Sequence, residues 1–135
     1  MKKDTIIISI HPVYVDKILS GEKKYEYRKQ FPDGIRYMLV YSTSPVKKIT
    51  ALIEVECILK DSPNIIWCKT QKKAGVTKEY FDSYFKDKEN AYAVKIKKIY
   101  KLNPSLLITN LEGINVAPQS YIYLKEPIEN VIDIL

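Results

Sequence analysis

Apolar and polar positions change period several times along the 135-residue chain, and each change marks an element. Thr5–Ile10 is a β-branched run and predicts a buried strand that stops at His11-Pro12. Proline suits a first helical turn, so Pro12–Ser20 is expected as a short helix with Val15, Ile18 and Leu19 on one face. Gly21 falls where a left-handed C-cap belongs. From Lys23 to Lys29 charged and aromatic residues alternate, which in a strand sets Lys24, Glu26 and Arg28 on one side and Lys23, Tyr25 and Tyr27 on the other. Phe31-Pro32-Asp33-Gly34 is a turn by its chemistry, Tyr37–Ser42 an apolar strand, and Thr43-Ser44-Pro45 a break. Lys48–Leu59 returns to period two, with Ile49, Ala51, Ile53, Val55 and Cys57 opposite Glu54 and Glu56.

Ser62-Pro63 opens a helical stretch to about Lys73 that Gly75 ends. Thr77-Lys78-Glu79-Tyr80 starts a second one, carrying Tyr80, Phe81, Tyr84 and Phe85 at helical spacing. Ala91–Tyr100 reads as strand, Leu106–Thr109 as a further extended piece, and Pro118–Leu124 as a one- or two-turn helix opened by proline. Short strands with helices between them predict an α+β fold, a small mixed β-barrel with short helices at its ends. No repeat or linker interrupts residues 1–135, so one domain is expected.

Composition narrows the chemistry. At 46% hydrophobic and 28% charged residues the chain is globular in character, and no apolar run approaches the ~20 residues that span a bilayer. Met1-Lys2-Lys3-Asp4 leads into an apolar run too short for a secretion signal, which predicts a cytoplasmic protein with no membrane partner. Two cysteines, Cys57 and Cys68, and the single His11 supply neither a disulfide framework nor a metal-ligand spacing. A zinc site, a thiol nucleophile and a histidine triad are therefore not expected, and no metal or organic cofactor is implied. The net charge is +6 and the pI about 9.1, with 21 of the 22 basic residues in the first 101 positions. A polyanionic partner fits this field; so does a soluble surface in a lysine-rich composition, since all but two basic residues are lysine. Arg28 and Arg36 stand out as the exceptions.

The densest chemistry is Gly21-Glu22-Lys23-Lys24-Tyr25-Glu26-Tyr27-Arg28. Glu26 and Arg28 lie two apart on a strand, so they either form a solvent-facing ion pair or jointly frame a ligand. Gly21, Lys23, Glu26 and Arg28 fit the G-x-K-x-x-E-x-R signature, and the chain thereby resembles ASCH domains, relatives of the PUA fold. Ser9-Ile10-His11-Pro12 and Ile18-Leu19-Ser20 look like the context of that signature. Tyr41–Val46, Ala74–Thr77, Tyr84-Phe85 and Pro118–Tyr121 are similar to blocks of a bacterial and archaeal subgroup labelled PUA-like predicted transcriptional regulators. The resemblance implies a five- to six-stranded PUA-like barrel with a cleft beside the helix that precedes the signature, and RNA or a nucleotide as its ligand.

The side chains are compatible with such a ligand. Arg28 can hold a phosphate or a guanine edge in bidentate fashion, Lys23 is a point charge for phosphate, and Glu26 can accept from a base amino group or orient Arg28. Tyr25 and Tyr27 either pack in the core or stack on bases. A hydrolase branch of the same superfamily acts on acylated cytidine and resembles this chain with a threonine in place of Glu26, which removes the hydroxyl nucleophile. Metal-free hydrolysis of a modified nucleoside or of RNA stays open as the alternative, with Glu26 as base and Lys23 as charge stabiliser. Around this centre, Ser42 and Thr43 either bind an anion or cap a turn. Trp67, flanked by Lys69, Lys72 and Lys73, is either core or cleft wall or a stacking platform on an exposed aromatic–basic lip, and Gln119 and Ser120 either line a mouth or cap a helix. A third possibility is an accessory module that contacts another protein.

Overall fold

Strand β1, Thr5–Ile10, is apolar on both faces because both faces are covered. Ile6, Ile8 and Ile10 point into one cluster with Val15 and Ile18, while Ile7 points into another with Leu39, Leu111, Ile114 and Leu124. This arrangement is seen in a computed structural model that describes residues 3–132; Met1 and Lys2 of the charged N-terminal run lie outside it. A six-stranded curled sheet results, in the order β2-β5-β4-β3-β1-β6, with three short helices against it. The strands are β1, β2 (Tyr25–Arg28), β3 (Tyr37–Ser42), β4 (Lys48–Asp61), β5 (Ala91–Leu106) and β6 (Tyr121–Tyr123). Among the described residues only the β1–β3 pair is parallel. Its connection runs through helix α1, Pro12–Ser20, capped by His11 at one end and by left-handed Gly21 (φ +87°) at the other. The fold is of the expected α+β, barrel-like class, with the sheet curled into a half-barrel. Among the described residues no helix is long and apolar enough to cross a membrane.

Four local expectations change. The segment predicted as a helix at Pro118–Leu124 instead supplies β6, which pairs antiparallel with the free edge of β1 (Ile6 with Tyr123, Ile8 with Tyr121). A strand edge with unpaired N–H and C=O groups outweighs the helix-start preference of Pro118. The strand expected to stop at Tyr100 continues to Leu106, where Ile49 of β4 pairs with it, and the extended piece at Leu106–Thr109 tightens into a 3₁₀ turn over Ile108–Asn110. In β4, register shifts at Glu54/Val55 and Val55/Cys57 slip the alternation, so Cys57 is exposed and Ile58 joins the cluster of Ala51 and Ile53. On α1, Leu19 is 38% exposed, and Tyr14 packs against the core in its place.

A third apolar cluster covers the β2–β5 end of the sheet. Helices α2 (Pro63–Thr70) and α3 (Lys78–Tyr84) place Ile66, Phe81 and the following Phe85 against Tyr27, Ala91 and Ala93. The seam between this cluster and α1 positions the site.

Candidate functional site

A hollow of about 410 Å³ opens between α1, β2 and α3 and is closed along one rim by Gln119 and Ser120. The glycine turn after α1 creates its floor. Past Gly21 the Lys23 amide donates to Lys17 O (3.0 Å) and the Lys24 amide to Lys73 O (2.9 Å), so β2 begins only at Tyr25. Lys23 is thereby freed from the strand's alternation and turns inward, 2% exposed. Its ammonium donates to Ala74 O (2.7 Å) and lies 4.8 Å from the Tyr27 ring centroid and 5.5 Å from that of Tyr14. Burial pulls its pKa from the usual 10.5 down to about 8, with Glu26 opposing the shift and Lys17 and Arg28 adding to it. The Tyr27 hydroxyl shares a 2.7 Å hydrogen bond with Thr70, and burial raises its pKa to about 12.

Glu26 and Arg28 share one strand face as expected, but their pair is nearly enclosed, at 10% and 12% side-chain exposure. The guanidinium is committed to the protein itself. Nε donates to Glu26 Oε2 (3.0 Å), Nη2 to Ser9 O (2.7 Å) and Nη1 to the Ser120 hydroxyl (3.2 Å). Arg28 therefore ties β2 to the end of β1 and to the 118–120 segment, which Ser9 also holds through its hydroxyl bond to Pro118 O (2.6 Å). Glu26 lines the hollow, and among the described residues its Oε1 has no hydrogen-bond partner and is not fully buried.

A lysine at position 28 would keep the charge and lose the fork. We expect Arg28→Lys to lower unfolding stability by about 2 kcal/mol, because one ammonium cannot serve a carboxylate, a carbonyl and a hydroxyl lying in three directions. A urea midpoint equal to the parent's would show that the clamp holds nothing.

Lys23, Glu26, Arg28, Gln119 and Ser120 thus border one hollow. Ser42, Thr43 and Trp67 do not. Ser42 is 2% exposed and its hydroxyl is bonded to that of Thr50 (2.6 Å), the Thr43 amide donates to Ile10 O (3.1 Å), and the Trp67 ring packs on Phe81 (4.9 Å between centroids). The hollow instead gains Tyr14, Tyr80 and Tyr84 as walls. Tyr80 and Tyr84 stack one turn apart on α3, their planes 9° from parallel, and burial raises the pKa of each. The signal for them was present in the sequence. Phe81 and Phe85 take the core face of α3, and the two tyrosines, each one residue earlier, take the neighbouring face. Among the described residues no three of His, Cys, Asp and Glu come together as a metal-binding group.

Comparison with known proteins bears on this arrangement. The Zymomonas mobilis "ASCH domain-containing ribonuclease" is 26% identical over 125 residues, covering 89% of this chain and 84% of that protein. The ribosomal protein uL22 of Ureaplasma parvum is 31% identical over 125 residues, but this chain spans only 40% of its length. The crystal structure of ASCH from Zymomonas mobilis superposes with a TM-score of 0.85 at 22% identity, over 96% of this chain and 93% of that one. A form of that protein with one tyrosine changed to phenylalanine superposes with a TM-score of 0.83. The ASCH domain matches residues 8–103, a stretch that runs from β1 through the signature lysine, glutamate and arginine of the hollow into β5, and the chain belongs to the ASCH domain family.

Proposed function

We propose that the protein binds single-stranded RNA and seats one nucleotide in this hollow. The observation that carries the reading is the Lys23 ammonium on the floor of a tyrosine-walled cavity of about 410 Å³, which falls within the ~300–1,000 Å³ of small-ligand sites. At neutral pH an amine of pKa about 8 is mostly charged and can hold a phosphate, the tyrosine rings offer faces for a base, and Glu26 Oε1 can accept from a base N–H. A base paired inside a duplex would have to leave its stack to enter, which favours a single strand. The relative named a ribonuclease supports RNA as the polymer.

Cleavage of the bound strand is the second reading, favoured by Lys23, whose pKa near working pH suits proton transfer. Glu26 Oε1 would take the proton of the ribose 2′-OH as that oxygen bonds to phosphorus. The P–O5′ bond then breaks, leaving a 2′,3′-cyclic phosphate, and the departing 5′-oxygen takes a proton from the Lys23 ammonium. The proton on Glu26 returns to the amine through water. In this reading the rate falls as pH rises through about 8, because the acid loses its proton.

Calorimetric titration with a dinucleotide tests binding. Affinity is expected to fall by about five-fold for a ten-fold rise in salt, the single-strand value for one phosphate contact, and to be lost in Tyr14→Ala or Tyr84→Ala with the fold intact. Unchanged affinity in both tyrosine variants would remove the nucleotide from this hollow.

A further inference from the structure

The cations around the hollow are not all accounted for by the site. A second depression of about 400 Å³ is lined by Tyr25 and by Lys69, Gln71, Lys72 and Lys73 at and after the end of α2. The bond from the Lys24 amide to Lys73 O sets the backbone of a fourth lysine beside the same segment. Lys24, Lys69, Lys72 and Lys73 are exposed, and among the described residues none of them has an acidic partner. Lys78, Lys95 and Lys97 each have an acidic partner (Asp82 at 2.7 Å, Glu56 at 3.0 Å, Glu54 at 3.7 Å), and what sets the ledge apart from other unpaired lysines is that three of its cations line one depression together with an aromatic residue. No carboxylate lines the depression, so its cations repel one another with no internal counter-charge.

The two depressions are joined through the chain. Lys23 lies in one and Tyr25 in the other, and across from them Val76 lies in one and Lys73 in the other. Tyr25 is the aromatic residue that lines this depression, while the ring of nearby Trp67 is turned onto Phe81. Four unneutralised cations and one half-buried ring are what single-strand binders use to track a backbone and stack a base.

We propose that this ledge is a second subsite, holding phosphates of the RNA strand that leaves the nucleotide hollow, and it rests on the nucleotide reading above. The ledge governs affinity for strands of several nucleotides and contributes nothing to the binding of a dinucleotide.

The test compares the parent with Lys69→Gln/Lys72→Gln/Lys73→Gln, using a dinucleotide and a single-stranded RNA of about ten nucleotides as probes. The longer RNA is expected to bind the variant about ten-fold or more weakly in low salt, with a log–log salt slope shallower by about 2, the single-strand value for three lost contacts. The dinucleotide should bind both proteins equally. Unchanged affinity for the longer strand overturns the ledge, and so does an equal loss for both probes, which would report a general loss of charge. A polyglutamate peptide of the same length that binds the parent as well as the RNA does would reassign the surface to an acidic protein. Should the parent bind the longer strand and not the dinucleotide, with the variant losing it, the nucleotide reading fails and the ledge stands. If the parent binds neither probe, both fall.

Discussion

Lys23→Met is expected to remove dinucleotide binding while leaving the folded protein at least as stable as the parent. Most substitutions of a side chain 2% exposed destabilise, because they leave a cavity or a strained neighbour. Here methionine has nearly the same length, and the charge it removes is one the fold holds against a desolvation penalty. Moving an amine from 10.5 to about 8 corresponds to roughly 3 kcal/mol against the charged form. Loss of the Ala74 carbonyl's partner offsets about 1–3 kcal/mol of that gain. Chemical unfolding and calorimetry on the same samples check the pair of outcomes. A variant that binds as the parent does would exclude Lys23 from the ligand, and a large drop in stability would make the lysine a structural one.

The pH dependence carries the same signature. Below pH 8 the amine is protonated in both states and the burial penalty is fully present. Between about 8 and 10.5 the unfolded chain keeps a proton the folded chain has lost, so parent stability rises with pH. Tyrosine acts in the opposite sense, since Tyr27 ionises at about 12 when folded and near 10 when unfolded, so stability falls once pH exceeds 10. The rise is therefore expected between pH 8 and 10 in the parent, and a flatter profile in Lys23→Met.

Gly75→Ala is expected to cost stability by about 3 kcal/mol and to displace Lys23 from the floor. Gly75 has φ +70°, and a Cβ there would lie 2.5 Å from Lys23 Cβ, 2.6 Å from its Cγ and 2.9 Å from its Cδ. The backbone conformation alone costs an alanine about 1–2 kcal/mol, and the contact with Lys23 Cβ cannot be relieved by moving the far end of the side chain. Lys17 Nζ also donates to Gly75 O (3.2 Å), so a shift of this segment loosens both lysines at once. Urea unfolding measures the loss. The double variant Gly75→Ala/Lys23→Gly removes the clash and should recover the part of the stability beyond the left-handed backbone term. No recovery would mean that the two residues do not compete for this space.

The residues that meet in the hollow differ in how far a one-dimensional reading reaches them. Glu26 and Arg28 were placed on a common face by strand alternation, and Gly21 was legible as a helix end because few other residues adopt its backbone geometry. Lys23 was assigned to the opposite face from Glu26, and that assignment holds only inside a strand, which starts two residues later. Its burial depends on a carbonyl 51 residues away, and the engagement of Arg28 depends on a serine 92 residues away. The alternatives left open for Trp67 and Tyr25 were settled at the same level: the packing of α2 on α3 turns the Trp67 ring onto Phe81, while Tyr25 lines the depression beside Lys69, Lys72 and Lys73.

From residue order alone come the β-branched first strand, the proline-opened and glycine-closed helix after it, the alternating β2, the paired tyrosines of α3 and the basic first hundred residues. These follow from local backbone preference and side-chain period, which act over a few residues. Tertiary structure decided that the tail becomes β6 and brings Gln119 and Ser120 to the rim, that Arg28 is spent as a clamp, and that Lys23 is driven into a low-dielectric floor. Those outcomes depend on which open edge, carbonyl or ring arrives from a distant part of the chain, and desolvation acts on a group only once those neighbours have closed around it.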